Sequence, residues 1–147
     1  MKLALLLLGV IPLILSQTLF VDPSFIGTNT GSQSNPFTTL DDALDSLLKD
    51  TSIYMVGGSA LSLSRTLSFN VLITSLTPTT TNVITINPDI QIRLLGNLTI
   101  TNCDFSLRNQ SASRAPFLLD SITSSLAIQV NFLDQNPFLI DCPRMHN

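Results

Sequence analysis

The sequence has no glutamate and no tryptophan, only one tyrosine, one histidine and two cysteines, and 12% of its 147 residues are charged. Each shortage excludes something. Seven basic residues stand against ten acids, all of them aspartate, for a formal net charge of −3 and a pI near 4.7. Such a chain has no basic field with which to hold a phosphate backbone, so nucleic acid is excluded as a partner. Without tryptophan, and with Tyr54 alone, flat rings for stacking sugars or bases are scarce. His146, one residue from the C-terminus, is the only imidazole, so histidine-based metal sites and nucleophile–histidine pairs have little to work with. There is also no G-x-S-x-G elbow and no phosphate-binding loop. What remains in abundance is aspartate, serine, threonine and asparagine, which favour turns and strands over long helices. The length allows one modest domain.

Residues 1–17 read as a secretory leader. Met1 and Lys2 form a minimal charged start, and Leu3 to Leu15 is an apolar run interrupted by Gly9 and Pro12. That run is too short to span a bilayer as a helix, and Gln17, Thr18, Asp22 and Pro23 end it. Cleavage is expected after Ser16 or Gln17, with an uncleaved anchor as the alternative. No later stretch approaches membrane length, so the product is expected to be secreted, extracellular and without a membrane span. In an oxidising compartment Cys103 and Cys142 either bridge or sit as two small core residues. Asn97-Leu98-Thr99 and Asn109-Gln110-Ser111 are glycosylation acceptor sequences, making a glycoprotein the expectation. Asn109, in a polar loop, is the favoured one of the two.

Residues 18–59 form a recognisable N-terminal module. Phe20 and Val21 read as a short strand, Gly27 to Ser34 as a glycine-, serine-, threonine- and asparagine-rich loop, and Asn35-Pro36-Phe37 as its closure. Thr38 or Thr39 can cap an amphipathic helix over 39–49, with Leu40, Ala43, Leu44, Leu47 and Leu48 on one face. Asp41, Asp42 and Asp45 near its start and Lys49 at its end suit the helix dipole and a solvated face. Asp50, Thr51 and Ser52 then lead into an apolar strand from Ile53 to Val56, stopped by Gly57-Gly58.

This order, VDPSFIGTNTGSQSNPFTTLDDALDSLLKDTSIYMVGG from Val21 to Gly58, resembles the N-terminal module of secreted right-handed parallel β-helix proteins of the pectin-lyase-like fold. The resemblance rests on the NPF-x-T turn, the amphipathic helix and the I-x-x-x-GG strand. It implies a helix that covers the open end of a solenoid, where apolar interior and unpaired strand edges would otherwise be exposed. It implies nothing specific about activity.

The rest of the chain, 60–147, supports stacked β repeats without that resemblance. PFLLDS at Pro116 to Ser121 returns as PFLIDC at Pro137 to Cys142, 21 residues later. LTITNCDF at Leu98 to Phe105 returns loosely as LAIQVNFL at Leu126 to Leu133, 28 residues later, with the difference absorbed by a loop from Arg108 to Ala115. Val71 to Thr74, Val83 to Ile86 and Ile90 to Leu95 supply further strands. The fold class expected is therefore mainly β, a right-handed parallel β-helix solenoid of about four rungs, roughly 4.8 Å apart, with a short N-terminal capping helix. A leucine-rich-repeat-like solenoid is the alternative, because Leu95, Leu98, Ile100, Cys103 and Phe105 match its pattern. A helix should then follow each match, whereas the sequence continues into a second apolar β run. A small antiparallel β domain ranks third.

Chemistry has few candidates. In β-helix polysaccharide lyases and hydrolases, clustered acids on one sheet bind calcium or act as acid and base. Asp120 and Asp141 are the one pair that the repeat would stack, about 5 Å apart, where they would share a proton or hold a calcium ion. Their plainer role is to end strands and bond to turn backbone. The family's hydrolase motifs are absent, so no catalytic residue carries over. Asn102 and Asn131 resemble stacked turn asparagines at slightly different offsets. Three functions follow: a non-catalytic extracellular solenoid binding glycans or surface proteins, a polysaccharide lyase or glycoside hydrolase, and a leucine-rich interaction module. The first ranks highest. No capping repeat precedes Asn147, so the rungs are expected to be incomplete at the C-terminus, as the beginning of a longer protein.

Overall fold

The computed structural model describes residues 16–77, 82–88, 90–107, 115–119, 124–132 and 140–141. They form a mainly β structure in which every strand pairing is parallel. In chain order the strands are β1 (Gln17–Val21), β2 (Thr51–Met55), β3 (Ser59–Leu61), β4 (Arg65–Leu67), β5 (Val71–Ser75) and β6 (Asn82–Ile86). There follow β7 (Ile92–Leu94), β8 (Leu98–Leu107), β9 (Phe117–Leu119), β10 (Leu126–Phe132) and β11 (Ile140–Asp141). A curled sheet runs β1-β2-β5-β8-β6-β3, with β10 also against β8, and a second runs β11-β9-β7-β4. Strand β8 serves twice. Its first residues pair with β5 and its last with β6, and Asn102 between them has a φ of 55°. That left-handed conformation, which asparagine tolerates better than most residues, lets one strand turn from one face of the curl to the next.

Parallel pairing puts each residue beside its counterpart in an earlier or later strand, so inward positions stack into columns. Leu19, Ile53, Ile73 and Ile100 form one such column, and all are buried. Ile84 and Phe105 form another, Ile92 and Phe117 a third, and the Phe105 and Phe117 rings lie 6.2 Å apart across the interior. The columns change character at the N-terminal end. Ser59 precedes Ile84, Arg65 precedes Ile92, and Gln17 and Thr51 precede Val71 and Leu98.

Those polar column ends meet the one helix among the described residues, α1 (Leu40–Asp45). Thr39 caps it, accepting from the Asp42 amide and donating to Asp42 Oδ2. Leu40, Ala43 and Leu44 are buried against the core. Ser59 Oγ accepts from the Leu40 amide, and Arg65 reaches the helix with Nη2 at 2.5 Å from Asp41 Oδ1 and Nη1 at 2.6 Å from Asp45 Oδ1. Arg65 Nη1 also donates to the Asp41 carbonyl, and Asp41 Oδ2 accepts from the Ser62 amide. The outer edge of β1 is covered as well. Gly31 and Phe37 exchange backbone hydrogen bonds with Phe20 and Asp22, leaving no bare strand edge there. Gly31, at φ 77°, lies directly against the Phe37 ring, which a side chain would displace.

Several expectations need correction. The helix spans 40–45 rather than 39–49, because Ser46 closes it by bonding to Ala43 and Asp42 carbonyls while Gln17 takes the Ser46 carbonyl and the Leu48 amide. Leu48 is consequently 81% exposed, and Lys49 lies outside the helix. Asp41 is not on a solvated face; it is buried in the Arg65 clamp. The 28-residue offset holds from Leu126 to Gln129 and shortens to 27 at Asn131 and Phe132, which pair with Asp104 and Phe105 after an irregularity. The 21-residue offset does not hold. Ile140 pairs with Phe117 and Asp141 with Leu118, two residues away from the register that PFLLDS and PFLIDC would set. A slip of two preserves the inside–outside alternation, which a slip of one would invert. The leucine-rich alternative needs a helix after each match, and residues 108–114 and 133–139, where it would fall, lie outside the described residues.

The clamp gives a contrast between two substitutions. Arg65→Ala strands the buried Asp41 carboxylate and should cost about 3 kcal/mol of unfolding free energy. Asp45→Ala removes a partner that is 61% exposed and should cost less than about 1 kcal/mol. Urea denaturation followed by circular dichroism measures both, and equal losses would contradict the burial argument.

Candidate functional site

The outward positions of β1, β2, β5, β8 and β10 form a continuous face. One row, read across the strands, is Thr18, Ser52, Leu72, Thr99 and Ala127. The next is Phe20, Tyr54, Thr74 and Thr101. Phe20 and Tyr54 stack with ring centroids 5.5 Å apart and planes 24° apart. The next residue in the row, beside Tyr54 in register, is Thr74 on β5. Thr74 Oγ1 accepts from Thr101 Oγ1 at 3.2 Å and from Asn102 Nδ2 at 3.4 Å. The result is an aromatic step beside a pair of bonded hydroxyls, Thr74 buried and Thr101 half-buried.

A polar ladder borders this face where the strands begin. Asp50, Asn70, Asn97 and Ser125 each immediately precede a strand, and their carbonyls accept from Gln17, Thr51, Val71 and Leu98 in turn. Their side chains continue the pattern. Asn70 donates its backbone N–H to Asp50 Oδ1 and its Nδ2 to Oδ2, both at 2.9 Å. Asn70 Oδ1 accepts from the Asn97 amide at 3.1 Å, and Asn97 Oδ1 accepts from Ser125 Oγ at 2.9 Å. The two Asn70 donors hold the Asp50 carboxyl below its usual range. Ser16, Asp50, Ser52, Asn70, Leu72 and Thr99 line a shallow groove of about 220 Å³ along the ladder.

The residues singled out by sequence fall in different places. Asn97, a glycosylation acceptor, is exposed on the ladder; Asn109 lies outside the described residues. Cys103 is a buried free thiol, and its expected partner Cys142 lies outside the described residues. Asp141 is in β11, its backbone beside Leu118 rather than beside Asp120, which itself lies outside the described residues. Asn131 pairs with Asp104 across an irregularity in β10, so it does not stack on Asn102 at the corner. His146 is outside the described residues. No cluster of three or more metal-ligating side chains occurs among the described residues, and no helix there is long and apolar enough to cross a membrane. Sequence reading missed the ladder and the aromatic step, although the polar residue before each apolar run was a visible signal. No family model, curated protein or solved structure matches this chain.

Two titrations test the local chemistry. A carboxyl with a lowered folded pKa favours the fold above its ordinary value near 3.8, and that contribution vanishes as pH falls through the lowered value. Asn70→Ala should move the Asp50 midpoint upward toward 3.8, read from its carboxyl carbon by NMR. An unmoved midpoint would remove Asn70 as the cause. Burial pushes the Cys103 thiol up to about 11, from an ordinary 9.0. Its protonated form therefore supports the fold below pH 9, and this support is lost as pH rises toward 11. Cys103→Ala should abolish that alkaline loss of stability. In the native protein at neutral pH, Cys103 should resist a thiol reagent that labels it after unfolding.

Proposed function

We propose that this chain is a secreted right-handed parallel β-helix that binds a neutral extracellular polysaccharide without cleaving it. The β-helix reading is supported by the pairing order, in which β2-β3-β4, β5-β6-β7, β8-β9 and β10-β11 succeed one another and each strand pairs with its counterpart one round away. Right-handedness follows from the general preference of parallel crossovers. The helix packed on the polar column ends plays the capping part that the N-terminal resemblance implies. Secretion rests on the leader-like segment 1–16 and on the acceptor sequence at Asn97, which stands exposed with its Oδ1 already bonded to Ser125.

The binding reading is carried by one observation: the half-buried Phe20–Tyr54 ring stack lies in the same outward row as the Thr74–Thr101 hydroxyl pair. A pyranose presents apolar C–H groups on one side and hydroxyls around its rim. An aromatic face flanked by hydroxyl groups answers both. Among the described outward residues of this face and its bordering ladder, Asp50 is the one charged side chain and there is no cation. A neutral glycan therefore suits it better than a uronate polymer. Asp50 already receives both Asn70 donors, which fits a fixed polar border rather than a proton-transfer group.

Affinity electrophoresis in gels containing soluble glucan, mannan or xylan, with polygalacturonate as the acidic control, tests this directly. At least one neutral polymer should retard the protein, and Tyr54→Ala should weaken that retardation roughly tenfold while leaving thermal unfolding near its starting point. Unchanged mobility in all three neutral gels would overturn glycan binding, and undiminished retardation of the variant would overturn this face as its site. Release of new reducing ends from the polymer would overturn the non-catalytic part.

A further inference from the structure

Gln17 is the first residue of β1, and it does more than start a strand. Its backbone N–H donates to the Asp50 carbonyl at 2.9 Å, the first rung of the polar ladder. Its side chain points into the column that continues as Thr51, Val71 and Leu98, and there it gathers the segment that follows the helix. Oε1 accepts from the Leu48 amide at 3.3 Å, Nε2 donates to the Ser46 carbonyl at 3.4 Å, and the Thr51 hydroxyl lies 3.2 Å from Oε1 while also 2.7 Å from the Lys49 carbonyl. One amide side chain thus fixes where the helix ends and how its exit meets β1 and β2. Ser16 is different: it is exposed, lies outside the strand and borders the groove beside Asp50.

We propose that the leader is removed by hydrolysis of the Ser16–Gln17 peptide bond, and that Gln17 persists as an uncyclised N-terminal residue pinning the cap. This rests on the reading of residues 1–16 as a secretory leader. The two cleavage points open from sequence are unequal in the structure. A cut after Gln17 would remove every contact just described, whereas a cut after Ser16 removes none of them. It also leaves a small residue on the leader side of the scissile bond, as leader-cleaving proteases require. Water adds across the bond, so Ser16 leaves as a carboxylate and Gln17 acquires an α-ammonium that still donates to the Asp50 carbonyl. The new positive charge then stands at the end of the groove where Asp50 is negative.

An N-terminal glutamine ordinarily cyclises when its amine attacks its own side-chain amide carbon and ammonia departs. In this fold the amine is held by Asp50, and the amide is held by Ser46, Leu48 and Thr51. Ring closure would have to break both sets of contacts, so folding protects the open form. The same bonds that make Gln17 useful to the cap keep it chemically intact.

The test is secretion of the full-length precursor from a eukaryotic host, followed by N-terminal sequencing and intact mass of the folded product. The expected product begins with Gln17 and retains its ammonia. A product beginning at Thr18 or beyond overturns the cleavage point, and complete loss of ammonia overturns the protection. Retention of Met1 overturns the leader reading itself and is distinguishable from both. Gln17→Ala should still be processed at the same bond but unfold at a lower urea concentration than Thr18→Ala, whose side chain faces solvent. Equal midpoints for the two variants would overturn the pin.

Discussion

Parallel pairing between strands one round apart is the constraint on which everything else in this molecule depends. No strand is completed by a hairpin; even β1, which pairs with the next strand in sequence, waits for a partner 34 residues on at Thr51, and the other strands pair about twenty to thirty residues away. The interior must therefore be built from columns of like residues, and columns have ends. At the N-terminal end three of them begin with Gln17, Ser59 and Arg65. Each of these polar groups bonds to the helix or to the turn that leaves it. The next residues in the Ser59 and Arg65 columns are apolar, Ile84 and Ile92, and the Gln17 column turns apolar after Thr51, at Val71, because the neighbours on both sides are then strands. The cap is thus written into strands as well as into the helix that forms it.

That arrangement explains what the sequence made legible. Helix, strands β2 and β5 to β8, and the 28-residue repeat all carry uninterrupted apolar periodicity, since each has a full neighbour on the inward side. Strands β3 and β4 were not legible, because Ser59 and Arg65 occupy inward positions that a periodicity argument reads as solvent. Helix length was overstated for the same reason: Leu47 and Leu48 continue the apolar spacing, but the Gln17 side chain, thirty residues away in sequence, ends the helix at Ser46. Register in the last rounds was misjudged through PFLLDS and PFLIDC because identical letters need not stack. What pairing demands is the correct parity, and a two-residue offset satisfies it.

The polar ladder accounts for the oddest absence in the composition. Neighbouring parallel strands are about 4.8 Å apart, and a side chain that bonds to the next rung must span that gap without excess length. Aspartate and asparagine do this from Asp50 to Asn70 and from Asn70 to Asn97, with the carbonyl ladder fixed alongside. A glutamate carries one more methylene and one more rotatable bond, and would give up more rotamer freedom for the same contact. The same economy of reach holds at Asp42, which bonds back to Thr39 across a single helical turn, and at Asp22, which accepts from the Ser24 amide.

Columns and ladder together consume nearly all the chemistry of the inner and bordering positions, and this decides where function can lie. An inward side chain must match its column, and a ladder side chain must match its rung. Only outward positions are free to differ from their neighbours. On the first face they do differ: Phe20 and Tyr54 are followed by Thr74 and Thr101, so a stack of rings gives way to a stack of hydroxyls in a single step. Stability alone would be served as well by continuing either kind. A break between two self-consistent stacks is the part of this surface that the fold itself does not explain, and it is the feature on which the proposed recognition of a molecule with one apolar and one hydroxylated aspect rests.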